Sequence, residues 1–322
     1  MVLLTIDNPS DADQRIDKFL RKYLPNAPLG ALFKWLRTGK IKVNQKKVAQ
    51  TYRILPNDTL SFYFTEWELE AFQSQWDQTS KPSETTPREA LEILYEDAYL
   101  LVVNKPAGMN VHPSDHKSSE VSLIERIQDT LGGNFNTLSF KPSLVHRIDR
   151  DTSGCIIIAK EKKALEKLLF ELQNSRIEKK YHCIVLGIPN EKNGTIDKKL
   201  LRVENAKDEA KVRIDENWLR AVTHYRTIQE NIKKKYSLLE CEIETGRTHQ
   251  IRVHLSSLGT PILGDKAYGN PKENSFARRE YHIERQLLHA YSLAFMHPIT
   301  HKTLTIVAPY LRDMKEFIED WE

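Results

Sequence analysis

One stretch of this chain limits what the rest can do. Residues Val145-His146-Arg147-Ile148-Asp149-Arg150-Asp151-Thr152-Ser153-Gly154 set two arginines, two aspartates and three small polar or glycine residues into a single turn. A strand-like approach, Ser143-Leu144-Val145, leads in, and the apolar run Cys155-Ile156-Ile157-Ile158-Ala159 leads out. Apolar runs on both flanks place the turn at the ends of buried strands, where a rigid scaffold presents side chains. Charges held against a core are costly unless paired, so carboxylates there should have partners. An Arg–Asp cluster that merely pins a turn satisfies that requirement, and so does a carboxylate presented to a ligand.

The chain has 322 residues, enough for two domains and a sizeable core. Its 40% hydrophobic and 29% charged residues fit a soluble globular protein. No apolar run reaches the roughly eighteen residues of a membrane span, and the start Met1-Val2-Leu3-Leu4-Thr5-Ile6-Asp7 is too short for a signal peptide. Cys155, Cys183 and Cys241 each sit alone in an apolar stretch and read as reduced core residues. Together these point to the cytoplasm.

Charge is unevenly spread. Residues 1–64 carry eleven Lys/Arg against five Asp/Glu, whereas residues 65–92 carry two against seven. A small basic module suggests a polyanionic partner. Ile16, Phe19, Leu20, Tyr23 and Leu24 predict an amphipathic helix, with Ser10, Asp11 and Asp13 as candidate caps. Leu29, Leu32, Phe33 and Leu36 predict a second, stopped by Gly39. Strands are expected at Ile41–Val43 and Leu60–Phe64. Lys34, Arg37, Lys40, Lys42, Lys46 and Lys47 then form a basic ridge suited to phosphates. The pattern predicts a module over 1–65, a flexible acidic linker over 66–88 and a large domain over 89–322.

In the large domain a hairpin is expected over 91–104, then a turn Lys105-Pro106-Ala107-Gly108 and helices around 121–131 and 165–172. Strands follow at 179–187 and 236–243, while 190–222 reads as charged and irregular, with short strands. His249 and His254 lack the spacing of a zinc protease, and no paired cysteines offer structural zinc. No glycine-rich phosphate loop or Gly-x-Ser-x-Gly elbow is present. Asp149 and Asp151, two apart, would share one face of an extended strand, which keeps a glycosidase among the alternatives.

His146-Arg147-Ile148-Asp149-Arg150-Asp151-Thr152-Ser153-Gly154 resembles the active-site signature of the RluA-type RNA pseudouridine synthases. Val102-Val103-Asn104-Lys105-Pro106-Ala107-Gly108, a tyrosine after Lys179-Lys180, Thr245-Gly246-Arg247-Thr248-His249-Gln250-Ile251-Arg252-Val253-His254 and Leu287-Leu288-His289-Ala290 resemble its other motifs, in the same order. Arg15–Phe64 resembles the small RNA-binding domain named after ribosomal protein S-four. The resemblance implies an α+β fold: a mixed, mainly antiparallel sheet with flanking helices, preceded by the small α/β module. It implies Asp149 as nucleophile or sugar-activating carboxylate, Arg252 as its partner and Tyr181 as a residue that stacks on the base and can act as a base. It also implies Leu263 lining the base pocket, Arg147 entering the vacated helix space, and His146 and Arg247 contacting substrate. The expected reaction isomerises uridine to pseudouridine in structured RNA, with no cofactor and no metal. The module and length are similar to those of monomeric enzymes acting on large-subunit (23S) ribosomal RNA or its precursor. Transfer RNA and a non-catalytic RNA-binding role are the alternatives.

Overall fold

The computed structural model describes residues 1–73, 90–113, 120–131, 135, 137–203, 211–215 and 218–321. The elements are, in chain order, β1 (Val2–Thr5), α1 (Ile16–Tyr23), α2 (Leu29–Thr38), β2 (Ile41–Val43), β3 (Thr59–Phe62), α3 (Glu66–Gln73), β4 (Glu92–Glu96), β5 (Leu100–Lys105), α4 (Leu123–Leu131), β6 (Ser143–Leu144) and β7 (Ser153–Ala159). There follow α5 (Lys162–Gln173), β8 (Glu178–Leu186), β9 (Asn193–Val203), β10 (Lys211–Ile214), β11 (Leu219–Asn231), β12 (Tyr236–Ile243), α6 (Gln250–Ser257), α7 (Pro271–Tyr281), β13 (Leu288–Met296), β14 (Thr303–Val307) and α8 (Arg312–Glu319). They fall into two compact units, one within Met1–Glu89, Thr130–Pro142 and Glu161–Lys163, the other made of the remaining segments.

The smaller unit carries an antiparallel sheet in the order β1-β3-β2. Ile16, Phe19 and Leu20 of α1 and Leu32 and Leu36 of α2 share its core with Ile41, Leu60 and Phe62. Both helices form because their apolar residues recur on one stripe. Gly39 ends α2 at φ 84°, a left-handed residue whose N–H donates to the Trp35 carbonyl. The expected caps of α1 do other work. Arg15 is the N-cap and gives no side-chain bond. Asp11 accepts instead from Thr137 Oγ1, Ser139 Oγ and the Leu138 and Ser139 amides, at 2.5–3.0 Å. A carboxylate only 1% exposed needs several donors, and one loop supplies them together.

The acidic stretch expected to begin a flexible linker at Glu66 starts as α3. Thr65 and Glu68 cap it reciprocally, Thr65 N donating to Glu68 Oε2 and Glu68 N to Thr65 Oγ1. Leu69 is buried, and the Phe72 ring packs 5.0 Å from Trp35 and 5.8 Å from Phe64. The remainder of the expected linker lies outside the described residues.

The larger unit is built on one mixed sheet in the order β10-β9-β11-β12-β8-β13-β7-β5-β4, with β14 on β13 and β6 on β7. All its pairings are antiparallel except β13 with β7. The α+β reading of the sequence is borne out. β7 is buried along its whole length, which is why it reads as a continuous apolar run rather than an alternating one. At its start Gly154 (φ 112°) lies against Ala290 of β13, where a Cβ would come 2.2 Å from the Ala290 carbonyl oxygen. Only glycine permits that approach, so the turn before β7 is locked beside β13. The region 190–222, expected to hold short, irregular strands, holds the 11-residue β9, the four-residue β10 and the start of the 13-residue β11. Their many polar, exposed positions hide the alternation that periodicity needs.

Candidate active site

The polar turn and the segment after β12 meet over the sheet. Arg147, Ile148, Asp149, Thr152, Tyr181, Ile243, Arg247, His249, Arg252 and Leu288 are among the residues lining a cleft of about 320 Å³. That volume sits at the small end of ligand sites, roughly 300–1,000 Å³.

The turn bearing Asp149 is tied down from every side except the cleft. Thr152 N donates to the Asp149 carbonyl at 3.2 Å. Arg285 Nη1 donates to the Asp151 carbonyl while its Nε and Nη2 hold Asp313. Lys105, fully buried, donates from Nζ to the carbonyls of Arg150 (2.7 Å), Pro106 (2.8 Å) and Met109 (2.9 Å). Burial pushes the Lys105 ammonium down to about 7, against the pull of Asp151 and Asp149. Residues 150 and 151 form a turn, and Asp151 is not among the residues lining the cleft. The two carboxylates therefore do not face one side as an extended strand would have them, and the pair that a glycosidase reading needs is missing here.

Asp149 meets one guanidinium. Arg252 Nη1 lies 3.1 Å from Asp149 Oδ2, while Arg252 Nε and Nη2 grip Asp265 in a fork at 2.7 and 2.9 Å. Burial works against the charge on Arg252. Its bonds to Asp265 and the charges of Asp265 and Asp149 outweigh that, so its pKa sits above even the ordinary guanidinium value. The Tyr268 ring stacks 5.2 Å from the guanidinium carbon. A fork held at two points cannot swing, so its third nitrogen is aimed.

The loop that feeds α6 is fixed by Gln250. Its Oε1 accepts from Thr245 Oγ1 (2.7 Å) and Arg247 N (3.1 Å), and its Nε2 donates to the Val222 carbonyl (2.9 Å). Tyr181 faces the cleft from β8, only 6% exposed. Burial first, and then the Asp149 charge, raise the Tyr181 pKa well above its ordinary value. Its hydroxyl keeps its proton at neutral pH, which suits stacking and donation.

Of the other residues singled out by sequence, Arg147 and Arg247 lie at the rim and are exposed. His146 and Leu263 are not among the lining residues. His146 Nε2 accepts from Ile157 N at 3.2 Å, pinning the turn to β7, and burial with the Lys179 charge pushes the imidazole down to about 3. Leu263 belongs to the apolar cluster around Ile184, Leu287 and Phe317, while Leu288 and Ile243 supply apolar wall. Asp265, His249, Tyr268 and Lys105 were given no role by sequence reasoning. Asp265 carried one signal, an acid directly after Gly264 on the heels of an apolar pair.

Among the described residues no group of three or more His, Cys, Asp or Glu is placed to hold a metal. Nor is any helix among them long and apolar enough to cross a membrane. In the basic module, Lys34, Arg37 and Lys47 line an open groove of about 740 Å³ with Gly30, Phe33 and Gln50. Lys40 and Lys42 lean over the rings of Phe64 and Tyr63 at 4.5 and 4.9 Å, and Lys46 is exposed.

Residues 99–257 match the family described as RNA pseudouridylate synthase. The chain is 37% identical over 302 residues to the ribosomal large subunit pseudouridine synthase C of Buchnera aphidicola subsp. Baizongia pistaciae, covering 92% of this chain and 90% of that protein. It is 39% identical over 239 residues to the ribosomal large subunit pseudouridine synthase D of Zymomonas mobilis, covering 73% and 74%. Among solved structures, human RNA pseudouridylate synthase domain containing 4 is similar with a TM-score of 0.56 at 25% identity, over 71% of this chain and 92% of that one.

Proposed function

This chain belongs to the RNA pseudouridylate synthase family, an enzyme family, and from that premise we propose that its cleft isomerises uridines of large-subunit (23S) ribosomal RNA or its precursor. The observation that carries the proposal is the single carboxylate of Asp149, held by Arg252 at 3.1 Å inside a small cleft floored by Tyr181.

The reaction breaks the bond between uracil N1 and the ribose C1′ and joins C1′ to C5 of the same base. C5 loses a proton and N1 gains one, so atoms and electrons balance without a donor group or a redox partner. What the protein must supply is a swung-out nucleotide, a partner for an electron-poor sugar carbon, and room for the base to turn. Extrusion costs a few kcal/mol, offset by stacking and by a side chain filling the gap. Tyr181 suits stacking, and the exposed rim arginine Arg147 suits the gap. Asp149 meets the sugar carbon, with Arg252 pairing with the carboxylate and aiming it. Arg247, also exposed at the rim, suits a flanking phosphate.

The basic module adds affinity. Lys34, Arg37 and Lys47 stand where a phosphate backbone could lie, and Lys40, Lys42 and Lys46 extend the same positive field. We assign residues 1–65 as an S-four-like RNA-binding module, and a monomer in the cytoplasm as the working form. The homologues named for the ribosomal large subunit favour that RNA over transfer RNA. Mapping pseudouridines in total RNA from a deletion strain, with and without the restored gene, tests the substrate. A position lost from large-subunit RNA and regained on complementation is expected; losses confined to transfer RNA would refute the assignment.

A further inference from the structure

His249 stands at the N-cap of α6 with φ 54°, in the left-handed region. That conformation costs an ordinary L-residue about 1 kcal/mol or more and is met more readily by Gly, Asn, Asp and His, and His282 and His301 adopt it too. The cap itself gains nothing from the imidazole, which makes no capping bond. What distinguishes His249 from the other left-handed residues is its place in the cleft, so the ring's contacts are the place to look.

The His249 ring lines the cleft, 19% exposed. Its Nδ1 lies 2.9 Å from the Tyr268 hydroxyl, and Val212 N donates to that same hydroxyl at 2.8 Å. A backbone N–H can only donate, so the tyrosine oxygen is already accepting there. Burial raises the Tyr268 pKa, so the hydroxyl keeps its proton. The arrangement that places that proton has Tyr268 donating to Nδ1, which puts the imidazole proton on Nε2. Nε2 lies 4.0 Å from Asp149 Oδ2, the oxygen that Arg252 addresses at 3.1 Å. Tyr268 is itself set by Asp265, whose Oδ1 accepts from Tyr268 N at 3.1 Å. Asp265 therefore aims both donors, Arg252 directly and His249 through Tyr268.

We propose that His249 is a positioning residue for Asp149: an imidazole, fixed by Tyr268 with a proton on Nε2, that gives Oδ2 a second donor once RNA fills the cleft. With Arg252 and His249 both on Oδ2, Oδ1 is the oxygen offered to the sugar. A separation of 4.0 Å is too long for a bond, and gaps of this kind commonly close when substrate binds. This inference rests on reading Asp149 as the reacting carboxylate.

Two substitutions separate the donor from the backbone. His249→Gln carries an N–H to about the place of Nε2 but fits the left-handed backbone poorly. His249→Asn fits that backbone and carries no donor so far. Single-turnover rates on a large-subunit RNA transcript, at saturating protein, should leave the Gln variant within about 10-fold of wild type and the Asn variant about 10²-fold down, with RNA affinity unchanged. Equal rates for the two, whether high or low, or the reverse order, would overturn the proposal. In full-length protein carrying ¹⁵N-histidine, Nδ1 of His249 should report an acceptor nitrogen and Nε2 a protonated one, and Tyr268→Phe should abolish that preference. A proton found on Nδ1 would equally overturn it. Turnover by Asp149→Asn would instead break the reading of the site, leaving the tautomer measurement to judge the Tyr268–His249 pair separately.

Discussion

The cleft and the basic groove both carry arginines or lysines, yet they are built in opposite ways. In the cleft, Arg252 is 8% exposed, gripped by Asp265 and aimed at Asp149. In the groove, Lys34, Arg37 and Lys47 are exposed ends on a short helix and a turn. A buried, bidentate charge is strong in a low dielectric and intolerant of change. An exposed lysine is screened by salt and exchangeable with its neighbours. Losses in the cleft should therefore appear as rate, and losses in the groove as salt-dependent affinity.

The largest expected effect is Asp149→Asn, which keeps shape and removes charge. Single-turnover rate should fall by roughly 10⁴-fold or more, with RNA affinity within a few-fold of wild type. Appreciable turnover would move the chemistry elsewhere, and a larger loss from Asp151→Asn would name the wrong aspartate here. Next comes Arg252→Lys, which keeps the charge but cannot hold Asp265 with a fork and reach Asp149 together. A loss of about 10²- to 10³-fold is expected. If the rate is unchanged, the guanidinium only supports the fold.

Lys105 sharpens the contrast from the stability side. Its folded pKa, near 7, lies below the ordinary lysine value of 10.5. Between those two values the unfolded chain holds a proton that the folded chain does not. Stability should therefore rise as pH climbs from about 7 to about 10, by on the order of 1 kcal/mol per pH unit from this group. Lys105→Met should flatten that slope in denaturant titrations. It should also lower overall stability by a few kcal/mol, since three carbonyls lose their donor. A slope identical to wild type would show that the ammonium is not the source.

The smallest effect on chemistry belongs to the groove. Replacing Lys34, Arg37 and Lys47 by Ala should lower the log–log salt slope of RNA binding by about 2 to 3, since each phosphate contact contributes roughly 0.7 to 0.9. Single-turnover rate at saturating RNA should stay near wild type. An unchanged slope would remove the groove from the interface, and a collapsed rate would erase the distinction between the two regions.

What could be read from sequence followed from local order. β7, α1 and α2 announce themselves because each buries a stripe or run whose period is visible within a dozen residues. The turn of Asp149 was legible because apolar runs bracket it. Asp265 was not, because its partnership with Arg252 crosses 13 residues and exists only after α6 and the following turn fold together. Lys105 sits in an ordinary-looking turn, and only the approach of the Arg150 carbonyl, 45 residues away, gives it a task. Leu263 looked like pocket lining from its motif, yet the chain buries it beside Ile184 and leaves Leu288 in the cleft wall. β9 and β11 were obscured because partly solvated strands mix polar and apolar residues without strict alternation.

The most direct test of the central claim uses the purified full-length chain and an in vitro transcript of large-subunit ribosomal RNA, with no added cofactor. After incubation the RNA is digested to nucleosides and separated by chromatography, because isomerisation changes retention but not mass. Pseudouridine at one or a few whole equivalents per RNA is the predicted result. A transcript that binds the protein yet returns only uridine would contradict the account.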